Sequence, residues 1–269
     1  MKKVKKIRVC SFIVLVISTI AFIGFKAYEY FEQDKTPPVI LCETPELAVS
    51  VSANEKEFLK GVTAIDDESG DVRSSLVIEN ISEFTEKNAR VITYAAVDEA
   101  GNVGRCQRKL IYTDYADPYF EMTSSLRFPL GKEIDILEGI KAIGELDGDL
   151  TSKIKYSLES TINLTIPQTY PIEFRVMDSG GKIVYLKTEL EMYDQMKESI
   201  KVNLSKYLVY LNVNDTFKPE KYYQGADQPG KLRIESNVDT KKPGVYSVDY
   251  VVESGDDIGK NRLVVVVKK

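Results

Sequence analysis

The sequence predicts an all-β chain, with three β-sandwiches in tandem behind one apolar N-terminal helix. Three observations carry that prediction. The first is an internal repeat: Phe58–Leu76, FLKGVTAIDDESGDVRSSL, returns without a gap 78 residues later as Ile136–Ile154, ILEGIKAIGELDGDLTSKI. Seven of the nineteen positions are identical (Leu59/Leu137, Gly61/Gly139, Ala64/Ala142, Ile65/Ile143, Gly70/Gly148, Asp71/Asp149, Ser74/Ser152), and four more stay apolar. A period of this length divides the 269 residues into three units of 75–80 residues, more than length alone suggests. The second observation is rhythm: short apolar or alternating runs separated by turn residues. The third is composition, with 16 Tyr, no Trp and 43% hydrophobic residues, which suits β-rich folded domains and not disorder.

Taken in order, the chain opens with Val9–Phe25, seventeen residues without a charge. As a helix this run spans about 26 Å, near the lower limit for a bilayer. Lys2, Lys3, Lys5, Lys6 and Arg8 precede it, and Tyr28, Tyr30 and Phe31 follow it. Cations on one side and an aromatic belt on the other predict a cytoplasmic tail over 1–8 and a transmembrane anchor over 9–31, with the N-terminus inside. A cleaved signal peptide is the competing reading. No small-x-small site follows the run, and Cys10 begins it instead of following it, as a lipoprotein cysteine would.

Of the 36 Lys+Arg, five lie in that leading segment, so the remainder sets 31 cations against 41 acids. An acidic remainder argues against a nucleic-acid partner. It names no partner by itself.

The first unit, 34–114, opens at Asp34-Lys-Thr-Pro-Pro-Val-Ile40, and the second, 115–194, at Asp114-Tyr-Ala-Asp-Pro-Tyr-Phe120. Proline at a strand's first residue costs no ladder bond, so it punctuates domain entry. Strands are expected at Val39–Cys42, Leu47–Ser52, Phe58–Ile65, Ser75–Ile81, Val91–Val97 and Cys106–Tyr112. The unit's end repeats as well: Tyr94/Phe174, Val97/Met177, Asp98/Asp178, Gly101/Gly181 and Asp114/Asp194 coincide. A third unit, 196–269, keeps the strand Pro243–Val252, which matches Pro167–Val176. It lacks the proline entry, the Gly-Asp loop and the Asp-x-x-Gly-Asn turn, so it is expected to be divergent, with a modified edge or another sandwich topology.

Six or seven short strands per unit describe a β-sandwich. The segments ITYAAVDEAGNVG, GVYSVDY and Pro-Pro-Val-Ile resemble the bacterial immunoglobulin-like domains, hyalin-repeat-like in pattern, that stand in tandem on Gram-positive surface proteins. The resemblance covers 36–194 and is weaker over 196–269. It implies three tandem immunoglobulin-like β-sandwich domains. It also implies that the first and last strands of unit one, carrying Cys42 and Cys106, lie side by side, so that outside the cell the pair can form a disulfide. Two free, buried thiols are the other reading.

Candidate chemistry is sparse. Asp66, Asp67, Asp71 and Asp98 cluster around two turns of unit one, and Asp147, Asp149 and Asp178 correspond in unit two. Turn carboxylates supply the oxygen ligands that Ca²⁺ takes. The plainer reading is that each caps its own turn. The spacing fits no EF-hand. With no His in the chain, Ser-His and Cys-His nucleophile activation is excluded. Ser152-Lys-Ile-Lys155 and Ser179-Gly-Gly-Lys182 match S-x-x-K but sit on turns without the partner motifs, so they read as chance. Tyr222 and Tyr223 are candidates for stacking on sugars, against a core role.

These observations predict a membrane-anchored, non-catalytic surface protein, not an enzyme, acting as an adhesion or scaffold stalk. Its partner would be a cell-surface or cell-wall protein or polysaccharide, met through the loops or a free strand edge of the third unit. The alternative is a wall-polymer-binding accessory of a membrane enzyme complex. No cofactor is required beyond the candidate Ca²⁺.

Overall fold

The structure, a computed structural model, describes the backbone from Lys2 to Lys269 and side chains from Ser11 onward. The side chains of Lys2, Lys3, Lys5, Lys6, Arg8 and Cys10 therefore lie outside the described residues, as does Met1 of the expected tail. Helix α1 runs Lys2–Glu32. Its part Ser11–Glu32, 22 residues of mean hydropathy 1.9, is long and apolar enough to cross a membrane, a property that a signal sequence shares. The helix ends at Glu32, four residues short of Pro37-Pro38.

Two compact units follow from the contacts, residues 1–49 with 53–111 and residues 50–52 with 112–269. The first holds one sandwich. Its strands are β1 (Val39–Cys42), β2 (Glu46–Val49), β3 (Val62–Asp66), β4 (Gly70–Asp71), β5 (Val77–Ile81), β6 (Ala89–Val97) and β7 (Val103–Tyr112). They form a sheet of order β1-β3-β4 and another of order β2-β7-β6-β5. A single turn of helix, α2 (Glu55–Phe58), lies before β3, and Asn54 caps it by accepting from the Lys56 and Glu57 N–H groups. Ile40, Val62, Ala64 and Val72 from one side meet Ile92, Tyr94, Ala96 and Leu110 from the other, all buried. The Tyr94 hydroxyl, unable to sit dry, donates to the Phe58 carbonyl at 2.7 Å.

The second unit holds two sandwiches. The first of these comprises β8 (Tyr119–Met122), β9 (Arg127–Pro129), β10 (Ile140–Gly144), β11 (Gly148–Asp149), β12 (Lys155–Leu158), β13 (Gln168–Met177) and β14 (Ile183–Tyr193). The other comprises β15 (Val202–Leu204), β16 (Leu208–Asn212), β17 (Tyr223–Ala226), β18 (Lys231–Ser236), β19 (Gly244–Ser254) and β20 (Asp257–Lys268). The sheet orders are β11-β10-β8 with β12-β13-β14-β9, and β15-β17 with β16-β20-β19-β18. The opening strand is split between the two sheets, and its second half runs parallel to the closing strand: β9 beside β14, and β16 beside β20.

The chain is thus all-β, three immunoglobulin-like sandwiches behind one helix. The third sandwich keeps the strand order of the others. What it lacks is the short strand equivalent to β4 and β11, and its closing hairpin β19–β20 is joined tightly, with Ser254 paired to Asp257. The expected modified edge is therefore present, while the order of the remaining strands is unchanged.

Four of the seven identical positions have a local cause. Gly61 and Gly139, Gly70 and Gly148, and Gly101 and Gly181 all have positive φ, between 69° and 91°, where a Cβ is costly. Ala64 and Ala142 are fully buried, and Val72 and Leu150 close the core beside them. Asp71 and Asp149 each accept the N–H two residues on, opening a 3-10 turn.

Within the second unit the two sandwiches share apolar surface. Leu208 and Val264 belong to the cluster built around Phe120, Phe174 and Leu186. Tyr210 adds two bonds: the Phe120 N–H donates to its hydroxyl at 3.0 Å, and the hydroxyl donates to the Phe120 carbonyl at 3.1 Å.

Candidate functional site

The seven aspartates separate by role. Asp71 and Asp149 are exposed caps, and the Arg73 side chain beside Asp71 holds its carboxyl down at about 2. Hydrogen bonds from Thr151 lower Asp149 as well. Asp67 is exposed. Asp147 accepts from the Ser179 N–H at 2.8 Å, bracing the neighbouring turn. Asp178 is buried and accepts from the Gly180 and Lys182 N–H groups and from the Tyr115 hydroxyl. These five are accounted for by turn structure or exposure.

Asp66 and Asp98 differ. They meet Asp34, on the segment entering β1, with one carboxylate oxygen from each of the three lying within 4.8 Å of the others. Asp66, 4% exposed, closes the β3–β4 turn by accepting the Glu68 and Ser69 N–H groups on Oδ1. Asp98, 7% exposed, closes the β6–β7 turn by accepting from the Asn102 N–H and amide. Burial pushes the Asp98 carboxyl up, but the bonds from Asn102, Gly101 and Ala100 outweigh it and hold the group below its ordinary value. The Asn102 amide also donates to the Asp34 carbonyl at 3.1 Å, which ties the entry segment to that turn. Asp34 was not legible as a member, because it belongs to the helix–sandwich connection and meets its partners only through the fold.

Cys42 and Cys106 come together with Sγ atoms 3.8 Å apart, as thiols. The expectation that β1 and β7 lie side by side is corrected: the two strands belong to opposite sheets, and the sulfurs meet where the sheets close on one another. Burial, then the contact with Cys106, pushes the Cys42 thiol up to about 11 against the pull of Arg108.

Tyr222 and Tyr223 are half-buried at the edge of the third core. Tyr222 stacks on Phe217 at 5.8 Å, and Tyr223 lies nearly parallel to Tyr250 at 6.5 Å. In each, one ring face is already in use. The S-x-x-K lysines carry no such geometry: Lys182 pairs with Asp117 across 3.1 Å.

Sequence reasoning missed a charged network inside the second unit. Arg127, with a side chain only 5% exposed, bonds Glu191 at 3.1 Å and Glu198 at 2.8 Å and lies over the Tyr193 ring. Lys260 reaches Glu191 and Asp249, and Arg262 reaches Asp249 at 2.6 Å and Glu189 at 2.9 Å. The one available signal was alternation: Glu189/Glu191 on β14 and Lys260/Arg262 on β20 each share a strand face.

No protein family matches the chain. Pesticidal crystal protein Cry22Aa of Bacillus thuringiensis is 25% identical over 239 residues, 83% of this chain and 31% of the relative. An uncharacterized 81.3 kDa protein of Acholeplasma phage L2 is 21% identical over 165 residues, 60% of this chain and 22% of its own length. The chain therefore spans under a third of either relative. Among solved structures, mouse cadherin-23 EC22-24 aligns with 87% of this chain and 99% of its own at 12% identity, with a TM-score of 0.22. A likeness that loose says nothing about what this chain binds.

Proposed function

We propose that the chain is a non-catalytic surface protein of the tandem immunoglobulin-like bacterial type, held in a bilayer by α1 with its sandwiches outside the cell and serving there as an adhesion or scaffold stalk. One observation supports this most. Every residue from 11 to 32 is exposed, so the apolar helix has no protein surface to bury against. Water does not tolerate such a surface, and hydrocarbon does. The five leading cations favour a cytoplasmic N-terminus, which puts the acidic remainder outside.

The test is protease access. The full chain, expressed in bacterial cells with an N-terminal tag, should sediment with membranes through alkaline extraction. Protease added to intact protoplasts should remove the sandwiches and leave only a short tagged fragment. Sandwiches protected from protease, or found free in the medium, would overturn the reading. Incubating the same membranes with purified wall polymer separates the partner classes. Saturable binding favours the accessory reading, although packing already engages one face of Tyr222 and of Tyr223.

A further inference from the structure

Three carboxylates converge in the first sandwich, and among the described residues no lysine or arginine pairs with any of them. The ion pairs of this unit all lie elsewhere, at Arg73–Asp71, Arg105–Glu79 and Lys109 with Glu46 and Glu86, besides Lys26–Glu29 on α1. Two of the three also leave an oxygen unused. Asp66 spends Oδ1 on its turn while its Oδ2 is sealed from solvent with no hydrogen-bond partner. Asp34 does the same: Oδ1 accepts the Thr36 N–H at 2.8 Å, and Oδ2 is buried without a partner. A carboxylate oxygen withdrawn from water and left unpaired is costly, and folded proteins rarely keep one without an ion or a donor to meet it.

We propose that Asp34, Asp66 and Asp98 hold one Ca²⁺ ion, which fastens the segment entering the first sandwich to its β3–β4 and β6–β7 turns. The donors are all carboxylate oxygen, and the chain has no imidazole, so a hard cation fits and Zn²⁺ does not. The three oxygens lie within 4.8 Å of one another, so one ion can meet them all. Mg²⁺ dehydrates reluctantly and is rarely held by an all-protein cage, so Ca²⁺ is the better fit. The Asn102 amide, which donates to Asp98 Oδ2, also donates to the Asp34 and Thr36 carbonyls, so the entry segment is already tied to this turn.

The second sandwich lacks the arrangement, and its sequence says why. The repeat partner of Asp66 is Gly144, which removes a ligand. The partner of Lys35 is Tyr115, whose hydroxyl donates to Asp178 Oδ2 at 2.7 Å, so a phenol meets the oxygen there. The partner of Asp34 is Asp114, which binds Ser50 and the Val51 N–H instead. One site per chain is therefore expected.

The experiment is a calorimetric titration of the full chain in detergent micelles with CaCl₂, alongside thermal unfolding in calcium and in EGTA. One Ca²⁺ per chain should bind, with a Kd on the order of 10⁻⁴–10⁻³ M, the range of extracellular modules, and the first unfolding midpoint should rise. Asp34→Asn and Asp66→Asn should each weaken binding at least about tenfold, since even the loss of an outer-shell partner costs a metal site that much, while Asp149→Asn should leave it unchanged. If Asp66→Asn fails to fold, Asp34→Asn, on the less buried entry segment, carries the comparison. No binding at millimolar calcium, binding unaffected by Asp34→Asn, or Mg²⁺ binding as tightly as Ca²⁺ would each overturn the assignment. The result does not depend on where the chain resides in the cell.

Discussion

Arg127 is a full charge in a nearly dry position, so its value lies in what it keeps satisfied. Among the described residues Glu198 has no other cation, whereas Glu191 also meets Lys260 at 3.1 Å and Arg262 at 3.6 Å. Removing one member of a buried pair strands the other, at a typical cost of about 3–5 kcal/mol. Arg127→Met should therefore lower the stability of the second unit by about that much in a denaturant titration, and an unchanged midpoint would show the network to be ornamental. The same groups set an acid limit. Burial pushes Glu191 and Asp249 up, but Arg127, Arg262 and Lys260 outweigh it, so both carboxyls end below their ordinary values of 4.5 and 3.8. Depressed values mean stability that is present above those ordinary values and lost as the pH falls through the depressed ones. The cysteines make a second residue-scale case. With Cys42 raised to about 11, little thiolate exists at neutral pH, so alkylation should be slow there and quicken as the pH rises. Oxidation to a Cys42–Cys106 disulfide would close a loop with a sequence separation of 64, worth about 4 kcal/mol by chain entropy. Non-reducing electrophoresis and a reductant-sensitive unfolding midpoint check it. At this scale the sequence was half legible. Asp66 and Asp98 stood out because they sit on turn motifs, whereas Asp34 and the Arg127 network depend on contacts between residues more than 60 apart.

The elements were read more fully, because their signals are local. The apolar run Val91–Val97 located β6, the match of Pro243–Val252 to Pro167–Val176 located β19 and β13, and the repeated glycines marked the turns. Two of those glycines separate backbone strain from crowding. Gly148 has φ 71° and open space around a Cβ, so Gly148→Ala should cost only the left-handed penalty, about 1–2 kcal/mol. Gly139 has φ 78° and would also drive a Cβ to 2.3 Å from the Ser124 hydroxyl, so Gly139→Ala should cost clearly more. Equal losses in paired unfolding curves would refute this account. The third sandwich was expected to have a modified edge or another topology; it keeps the strand order but loses one edge strand, so its two-stranded sheet β15-β17 stands where the others have three strands. Its edge strand β18 bears on partner contact. Lys231, Arg233 and Glu235 are exposed in alternation along it, and charges so placed discourage another chain from adding a strand. For the partner contact proposed above, that counts against this edge.

At the scale of the whole chain, the repeat announced equivalent modules, and the sandwiches are equivalent in strand order. What it did not announce is that the second and third belong to one compact unit, with an apolar cluster and an ion network in common. That grouping comes from side chains outside the repeated segment, such as Leu208, Tyr210 and Val264. The parallel pairing described above has a mechanical meaning. In the second sandwich β9 lies beside β14 over three paired residues, and in the third β16 lies beside β20 over five. When two strands run the same way, tension on the chain ends slides one past the other and loads all their bonds together. Antiparallel neighbours pulled from one end would peel one bond at a time. Under stretching of single molecules the third sandwich should accordingly yield after the second, because five paired residues share the load there against three.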